Sequence, residues 1–503
     1  MKRKIVMFLA LLLMALSINM PVSAGENYLP EVNIRKLDNG LTVMVVEDHS
    51  SPTVACYRYH KVGSINEWPG VTGAAHLLEH MMFKGTKKIG TWNYEAEVPI
   101  MNKIDSLVEQ INVELAKGLT DYQKMDEEKV KSLWAQIREL QTEQKKYIRK
   151  NEIDYIYKSL GGRGLNASTS FDRTDYYILL PSNKVEVWGM IESDRMRSPV
   201  FREFYSERDV VKEESRMYNN TPYGQIFRTI IENMYVTLPY GHEIIGWMSD
   251  LNTIQRKEIE EFFRKFYAPN NTVLVLVGDI TKDEGFELVA KHFSDIPSQP
   301  APDPVFSQEP LQKGERRVEV NFDSNPIMAI GFHGPRPGNP DQYAMEILGE
   351  ILSSGRTSRL HKNLIETNIA FVADAGQWTL AYVNPFIFWV APKKPYTMDQ
   401  LEEALYKEID KLKTEPVTDE ELQRAKNKLA FSYYSKVKSP MYLAEELARA
   451  HVWTGNWKNM DERAHYDKVT ADDVMRVANK YLVKSNRTVV RLKSEEKSET
   501  AVK

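Results

Sequence analysis

Gly73-Ala74-Ala75-His76-Leu77-Leu78-Glu79-His80-Met81-Met82 reads as a short helix entered through the turn Gly70 to Gly73. Within it His76, Glu79 and His80 stand at i, i+3 and i+4, so the three side chains share one helical face. Two imidazoles at that spacing can ligate one metal ion. A carboxylate beside them that is not a ligand can take a proton from water at the metal. The order H-x-x-E-H reverses the commoner H-E-x-x-H and is itself a zinc-site pattern. The chain has one cysteine, Cys56, which excludes an internal disulfide framework and a cysteine-based zinc site. Any further ligand must therefore be His, Asp or Glu from another part of the chain.

The whole chain suits that reading. Its 503 residues exceed one ordinary domain and suit two or three. A charged fraction of 27% beside 42% hydrophobic residues is that of a soluble globular protein. A net charge of −4 argues against a nucleic-acid partner. Lys2, Arg3 and Lys4, the apolar run Ile5 to Ile18 and Val22-Ser23-Ala24 have the layout of a signal peptide over residues 1–24. The expected mature chain starts near Gly25, is periplasmic or secreted, and has no stable membrane anchor after cleavage.

Two similar halves follow. In the first, a helix ends at Tyr267 and a strand begins at Thr272-Val273-Leu274. In the second, a helix ends 214 residues later at Tyr481, before Thr488-Val489-Val490. Nearer the halves' starts, Tyr59-His60 matches Phe332-His333, and Gly85 matches Gly355 at an offset of 270. The two offsets imply roughly 56 extra residues in the first half. At the larger offset His76, Glu79 and His80 fall on Glu346, Gly349 and Glu350, so the second half lacks the motif. The Pro-rich segment Pro297 to Pro304 reads as a stiff linker. The expected boundaries are 25–296 for the first domain, 297–310 for the linker and 311–503 for the second domain. The extra residues are assigned to about 95–158, a stretch rich in Lys, Glu and Gln. Ile104, Leu107, Val108, Ile111 and Leu115 follow helical spacing, as do Val130, Leu133, Ile137 and Leu140, with a turn at Gly118-Leu119-Thr120-Asp121. This is an αα-hairpin. The favoured reading is a solvated spacer, the other an arm that contacts substrate or partner.

For the missing ligand the acidic helix Glu207-Arg208-Asp209-Val210-Val211-Lys212-Glu213-Glu214 is the best candidate. Glu207 and Glu214 lie seven residues apart and share a face, and Glu213 points about 100° away.

The segments His76 to Thr86, Leu165-Asn166-Ala167-Ser168-Thr169 and Glu207 to Glu214 resemble the pitrilysin family of inverzincin metallopeptidases. That family includes insulin-degrading enzyme and the mitochondrial processing peptidases. The likeness covers nearly the whole mature chain and is greatest to the short bacterial members. It implies an α+β fold: two homologous α/β-sandwich domains, each a mostly antiparallel sheet with helices packed on one face, here with a helical-hairpin insertion in the first. It implies one Zn2+ per chain, held by His76, His80 and Glu214, with Glu79 as the catalytic base and Glu207 as the carboxylate that supports a metal ligand. It places an extended peptide substrate along a strand that includes Asn166, Ala167 and Ser168. Tyr240 also matches a family motif, and His242 is assigned no role. The long separation of His80 from Glu214 is accounted for by the insertion. One departure matters. The family's second half brings an Arg and a Tyr to the substrate, and here Ile365 and Phe371 occupy those positions, with no side-chain hydrogen to donate. The expected function is that of a zinc-dependent endopeptidase for peptides or unfolded polypeptides, working as the zinc-bearing subunit beside a homologue that supplies the Arg/Tyr pair. The other reading is a non-catalytic scaffold or peptide-binding subunit of the same family.

Overall fold

The computed structural model describes residues 29–120 and 124–494. The expected signal peptide, and Asp121 of the expected hairpin turn, lie outside the described residues. The described residues from Val32 onward form one compact unit.

The first half builds a six-stranded sheet from β1 (Asn33–Lys36), β2 (Thr42–Glu47), β3 (Thr53–His60), β4 (Arg163–Thr169), β5 (Thr174–Pro181) and β6 (Thr272–Gly278), in the order β1-β2-β6-β3-β5-β4. The second half builds a five-stranded sheet from β7 (Arg316–Asn321), β8 (Ile327–His333), β9 (Ala370–Gln377), β10 (Pro385–Pro392) and β11 (Arg487–Lys493), in the order β7-β11-β8-β10-β9. Apart from β1 the two orders coincide. The pairings β2–β6 and β7–β11 are parallel and the other pairings are antiparallel. The duplication inferred from two short matches thus extends through both sheets.

Each sheet carries its own helices on one face. In the first half that face presents Val54, Cys56, Ile178, Leu180, Leu274 and Leu276, as the period-2 alternation of strands requires. The opposite face is covered by a helix from the other half. Helix Pro222–Met234, from the first half, packs Ile226, Ile230, Ile231 and Met234 against Ala329, Ile387, Val490 and Leu492 of the second sheet. Its counterpart Pro440–Thr454 lies against β3 and β6 of the first sheet. The approach of the first of these helices is so close that an added Cβ at Gly331 would sit 2.2 Å from Met234 Sδ. An ion pair from Arg173 Nη2 to Glu445 Oε1 at 2.6 Å ties the β4–β5 turn to the second exchanged helix.

The insertion is two helices, Tyr94–Thr120 and Glu127–Gln144. Three expectations about it need correction. The first helix runs through Gly118 and Leu119 instead of turning there, and Asp126 caps the second by accepting from Lys129 N at 2.9 Å. A third helix, Glu152–Ser159, went unread. By element order it stands opposite His361–Ile365 of the second half. Nor is the hairpin a solvated spacer. Ile104, Leu107, Val108, Ile111, Leu133 and Ile137 join the same core as Leu77, Leu78, Met81 and Met82 of the motif helix and Phe204 and Val211 of the acidic helix. Tyr205 donates to Asp105 at 2.8 Å, and Gln141 bonds Ser206 at 3.2 Å. The outer face of the hairpin is polar, and Glu97, Glu114 and Gln144 are polar residues buried within it, which is why its composition resembles that of a spacer.

Candidate metal centre

The motif helix spans Ala74–Met82. It begins at Gly73, which has φ +86°, and a Cβ there would meet Ile245 O at 2.5 Å, so only glycine fits. Two free backbone N–H groups at this end are taken by Glu67, which accepts from Gly73 N at 2.8 Å and Ala75 N at 2.7 Å. Burial pushes the Glu67 carboxyl up despite those bonds. Asp250 similarly accepts from Gly70 N and from Thr72 N and Oγ1. At the other end Arg195 Nε donates to Met82 O at 2.9 Å. Arg195 and Arg58 both pair with Glu192, to which Tyr157 also donates, in a buried network beneath the helix. The helix is therefore fixed at both ends before any ligand is considered.

Its polar face meets the acidic helix Phe204–Asn219. His76 Nε2 lies 3.9 Å from Glu214 Oε1, and His80 Nε2 lies 3.7 Å from Glu214 Oε2. Among the described residues these three form the one His/Cys/Asp/Glu group whose possible ligand atoms all fall within 4.8 Å. Two imidazole nitrogens and a carboxylate oxygen suit zinc, whose ligands sit about 2.0–2.1 Å from the ion and so roughly 3.3 Å apart in a tetrahedron. The two nitrogen–oxygen gaps exceed that by a few tenths of an ångström, which the half-exposed Glu214 side chain can supply, and the widest separation in the group, up to 4.8 Å, closes as the imidazoles also turn toward the ion. The donor set fits the group that the motif implies.

Glu207 stands one layer back. His80 Nδ1 donates to Glu207 Oε1 at 3.1 Å, which leaves Nε2 with its lone pair toward Glu214. Lys84 Nζ reaches Glu207 Oε2 at 2.6 Å and Glu203 at 3.7 Å. Burial works against the Glu207 anion, yet the bonds from His80 and Lys84 hold its carboxyl down at about 2. For His80 burial also opposes the charged form, and the Glu207 hydrogen bond and charge outweigh it, so its pKa rises. His76, without such a partner, is pushed down to about 3 by burial and by the neighbouring His80.

Glu79 points to the same face. Burial raises its pKa, and Thr169 Oγ1 donates to Oε2 at 2.6 Å. Thr169 ends β4, an edge strand of the first sheet. Along β4 the side chains alternate: Ala167 is buried, and Asn166 is exposed. The three expected substrate-binding residues thus lie on the strand next to Glu79, though Ala167 alone shares Thr169's face. Glu213 turns away to pair with Arg216. Tyr240 is buried and donates to Asp172 at 2.7 Å, a packing role. His242 is buried, with Nδ1 2.9 Å from Glu243 O. Sequence reasoning passed over Thr169, Lys84, Glu67 and Asp250. The parity of Thr169 with Ala167 and the i+4 spacing of Lys84 from His80 were the available signals for the first two. For Glu67 and Asp250 there was none, because the groups they satisfy are backbone amides of a loop.

The family model described as Insulinase (Peptidase family M16) matches residues 42–109, and that described as Peptidase M16 inactive domain matches 253–429. The chain belongs to peptidase family M16. The first match contains the H-x-x-E-H helix and stops inside the first insertion helix. The second contains Asp341–Ser353, the helix that takes the motif helix's place in the second half. Zinc protease PqqE of Helicobacter pylori is 27% identical, over 93% of this chain and 94% of its own length. A probable mitochondrial-processing peptidase subunit beta from Arabidopsis thaliana is 25% identical, over 92% of this chain and 79% of that protein. The solved structure of a protease from Helicobacter pylori superposes with a TM-score of 0.77 at 26% identity, covering 92% of this chain and 100% of that one. The M16 fold expected from the motif, with two homologous halves, is thus shown. Among the described residues no helix is long and apolar enough to cross a membrane.

Proposed function

We propose that this M16 protein is a zinc-dependent endopeptidase acting on peptides or unfolded polypeptides, exported from the cytoplasm by residues 1–24. The observation that carries the reading is the convergence of His76, His80 and Glu214 beside Glu79. His76 Nε2, His80 Nε2 and Glu214 would hold the ion; zinc when bound acts as a Lewis acid on a carbonyl and lowers the pKa of water. Glu207 keeps the His80 ring oriented and its Nδ1 protonated. Glu79, with one oxygen engaged by Thr169, has its other oxygen free to take a proton from the attacking water and return it to the leaving amine. The raised pKa of Glu79 suits both transfers. An extended peptide can add to the free edge of β4 through main-chain hydrogen bonds at Asn166, Ala167 and Ser168, which brings its backbone alongside Glu79 and tolerates many sequences.

The chain is proposed to work with a homologous partner. Phe371 is 74% exposed on the edge strand β9, and Ile365 packs against the second-half core. Neither can donate a hydrogen bond to substrate, so the Arg/Tyr pair would come from a second chain. A relative named as a processing-peptidase subunit supports this. The same substitutions favour the second reading, a peptide-binding scaffold. Cleavage of an unfolded polypeptide that stops with a chelator, returns with zinc and is lost in Glu79→Gln supports the enzyme. A complex purified with its partner and zinc that cleaves nothing supports the scaffold.

A further inference from the structure

The motif helix borders a second space on the side of Glu79, His80, Phe83 and Lys84. It is a cavity of about 500 Å3, and its far wall is made by residues 148–153, where the chain leaves the insertion. That size falls within the range of ligand pockets. The wall is a fixed one. Ile148 forms an isolated bridge with Thr91, Trp92 N donates to Tyr147 O at 2.7 Å, and Arg149 N donates to Gly90 O at 3.1 Å. Glu152 accepts from Gly90 N at 2.6 Å. Phe83, Ile148 and Ile153 supply apolar surface.

Four cations line this cavity, Lys84, Arg149, Lys150 and Arg202, together with the carboxylates Glu79, Glu152, Glu203 and Glu207. Three are already neutralised. Lys84 pairs with Glu203 and Glu207, and Arg202 pairs with Glu97. Arg149 pairs with Glu152 at 2.5 Å and stacks on Trp92 with its guanidinium 4.3 Å from the ring centre. Lys150 is exposed and makes no ion pair among the described residues.

We propose that this cavity is a side-chain subsite of the substrate cleft and that Lys150 makes it select an acidic residue of the peptide close to the cleaved bond. The inference rests on the peptidase reading above, since it is the nearness of Glu79 that puts the cavity beside the scissile bond. It assigns the insertion a role in specificity: the hairpin braces the acidic helix with its core face and presents Lys150 to substrate with its exit. The aliphatic stem of an Asp or Glu side chain would lie along Phe83 and Ile148, and its carboxylate would meet the Lys150 ammonium at the rim, where the pairing is screened by salt.

The test is a set of end-blocked peptides, with acetylated and amidated termini, varied one position at a time to Glu, Gln or Lys around the cleaved bond. They are assayed with the zinc-loaded protein and its co-purified partner. At one position wild type should prefer Glu over Gln about three- to tenfold in kcat/KM, the size expected for one exposed ion pair, and the preference should fade at high salt. Lys150→Glu should reverse the order at that position in favour of Lys. Identical profiles for wild type and Lys150→Glu would overturn the proposal. If wild type cleaves none of the peptides, the peptidase reading fails, and the subsite is read instead by fluorescence anisotropy of the same labelled peptides on zinc-loaded Glu79→Gln protein. Tighter binding of the Glu peptide that disappears on adding Lys150→Glu supports the subsite, and equal binding of the Glu and Lys peptides overturns it.

Discussion

Replacing Glu207 with alanine should weaken zinc binding about 10- to 100-fold. The carboxylate accepts from His80 Nδ1 at 3.1 Å and from Lys84 at 2.6 Å, and with its pKa held at about 2 it is fully charged at neutral pH. A hydrogen bond to a charged group contributes about 1.5–3 kcal/mol, which converts to about 10- to 100-fold in a binding constant. Loss of a hydrogen-bond partner behind a metal ligand has the same range. The change should also cost the apo fold about 1–3 kcal/mol at neutral pH, because Glu207 is only 18% exposed and its charge is held by His80 and Lys84, while Lys84 keeps Glu203 as a partner. Glu207→Gln, which keeps an acceptor without the charge, should fall between alanine and wild type. The assay is competition for zinc against a chromogenic chelator at neutral pH, with urea unfolding of the apo proteins alongside. A zinc affinity within twofold of wild type in Glu207→Ala would refute the reasoning.

Other perturbations probe other levels. Glu79→Gln should bind zinc like wild type, by the same competition assay, and lose at least about 100-fold in turnover, the lower range for a positioned acid–base group; weaker zinc binding would make Glu79 a ligand instead. Glu192→Ala should cost about 3–5 kcal/mol in urea unfolding, because Arg58 and Arg195, 0% and 1% exposed, would be left buried without a counter-charge; a loss below about 1 kcal/mol would mean that water replaces the carboxylate. Glu243 is 4% exposed, and burial pushes its carboxyl up to about 7 from an ordinary 4.5. The folded state therefore holds a proton that the unfolded state releases, and stability falls as pH rises from about 4.5 to about 7. Glu243→Gln should accordingly gain about 2 kcal/mol at pH 8 and nothing below pH 4; a gain independent of pH would show a packing effect. Ile230→Ala, on the exchanged helix, should cost about 2–4 kcal/mol and speed hydrogen exchange in β11 of the other half; unchanged β11 protection would mean that the two halves unfold separately.

The candidate metal-binding side chains were legible because their spacing is dictated by local geometry. A helix places residues i, i+3 and i+4 on one face whatever surrounds it, so His76, Glu79 and His80 could be grouped without tertiary information. Glu207 and Glu214 share a face for the same reason, but choosing Glu214 over Glu207 as the ligand depended on resemblance, since either could turn toward the histidines. The helix and strand boundaries that framed the halves were read within a few residues, as at Thr272–Gly278 and Arg256–Phe266. The insertion was misjudged in character because a hairpin that buries only one narrow stripe has the composition of a solvated segment, and its contacts lie with residues far along the chain, such as Tyr205 with Asp105. Exchange of helices between the halves left no local signature, because Ile226, Ile230 and Met234 have the amphipathic spacing of any core-facing helix and the pattern does not say which sheet they face. The backbone hydrogen bonds that Glu67 and Asp250 satisfy were equally silent, since amide groups carry no sequence information.

The acidic helix that offers Glu214 runs almost directly into Pro222–Met234, interrupted by Asn220 and Thr221, and that second helix beds on the opposite half. Each half therefore finishes its neighbour, and neither leaves a complete apolar interior if cut away. A single ancestral copy with this architecture could have satisfied both sheet faces only as a twofold dimer that traded one helix per subunit. Once such a pair became one polypeptide, the second copy was free to lose its histidines but not its sheet. Its persistence without metal chemistry is thus what the packing demands: the silent half is a permanent scaffold on which the other half's Glu214 helix is moored.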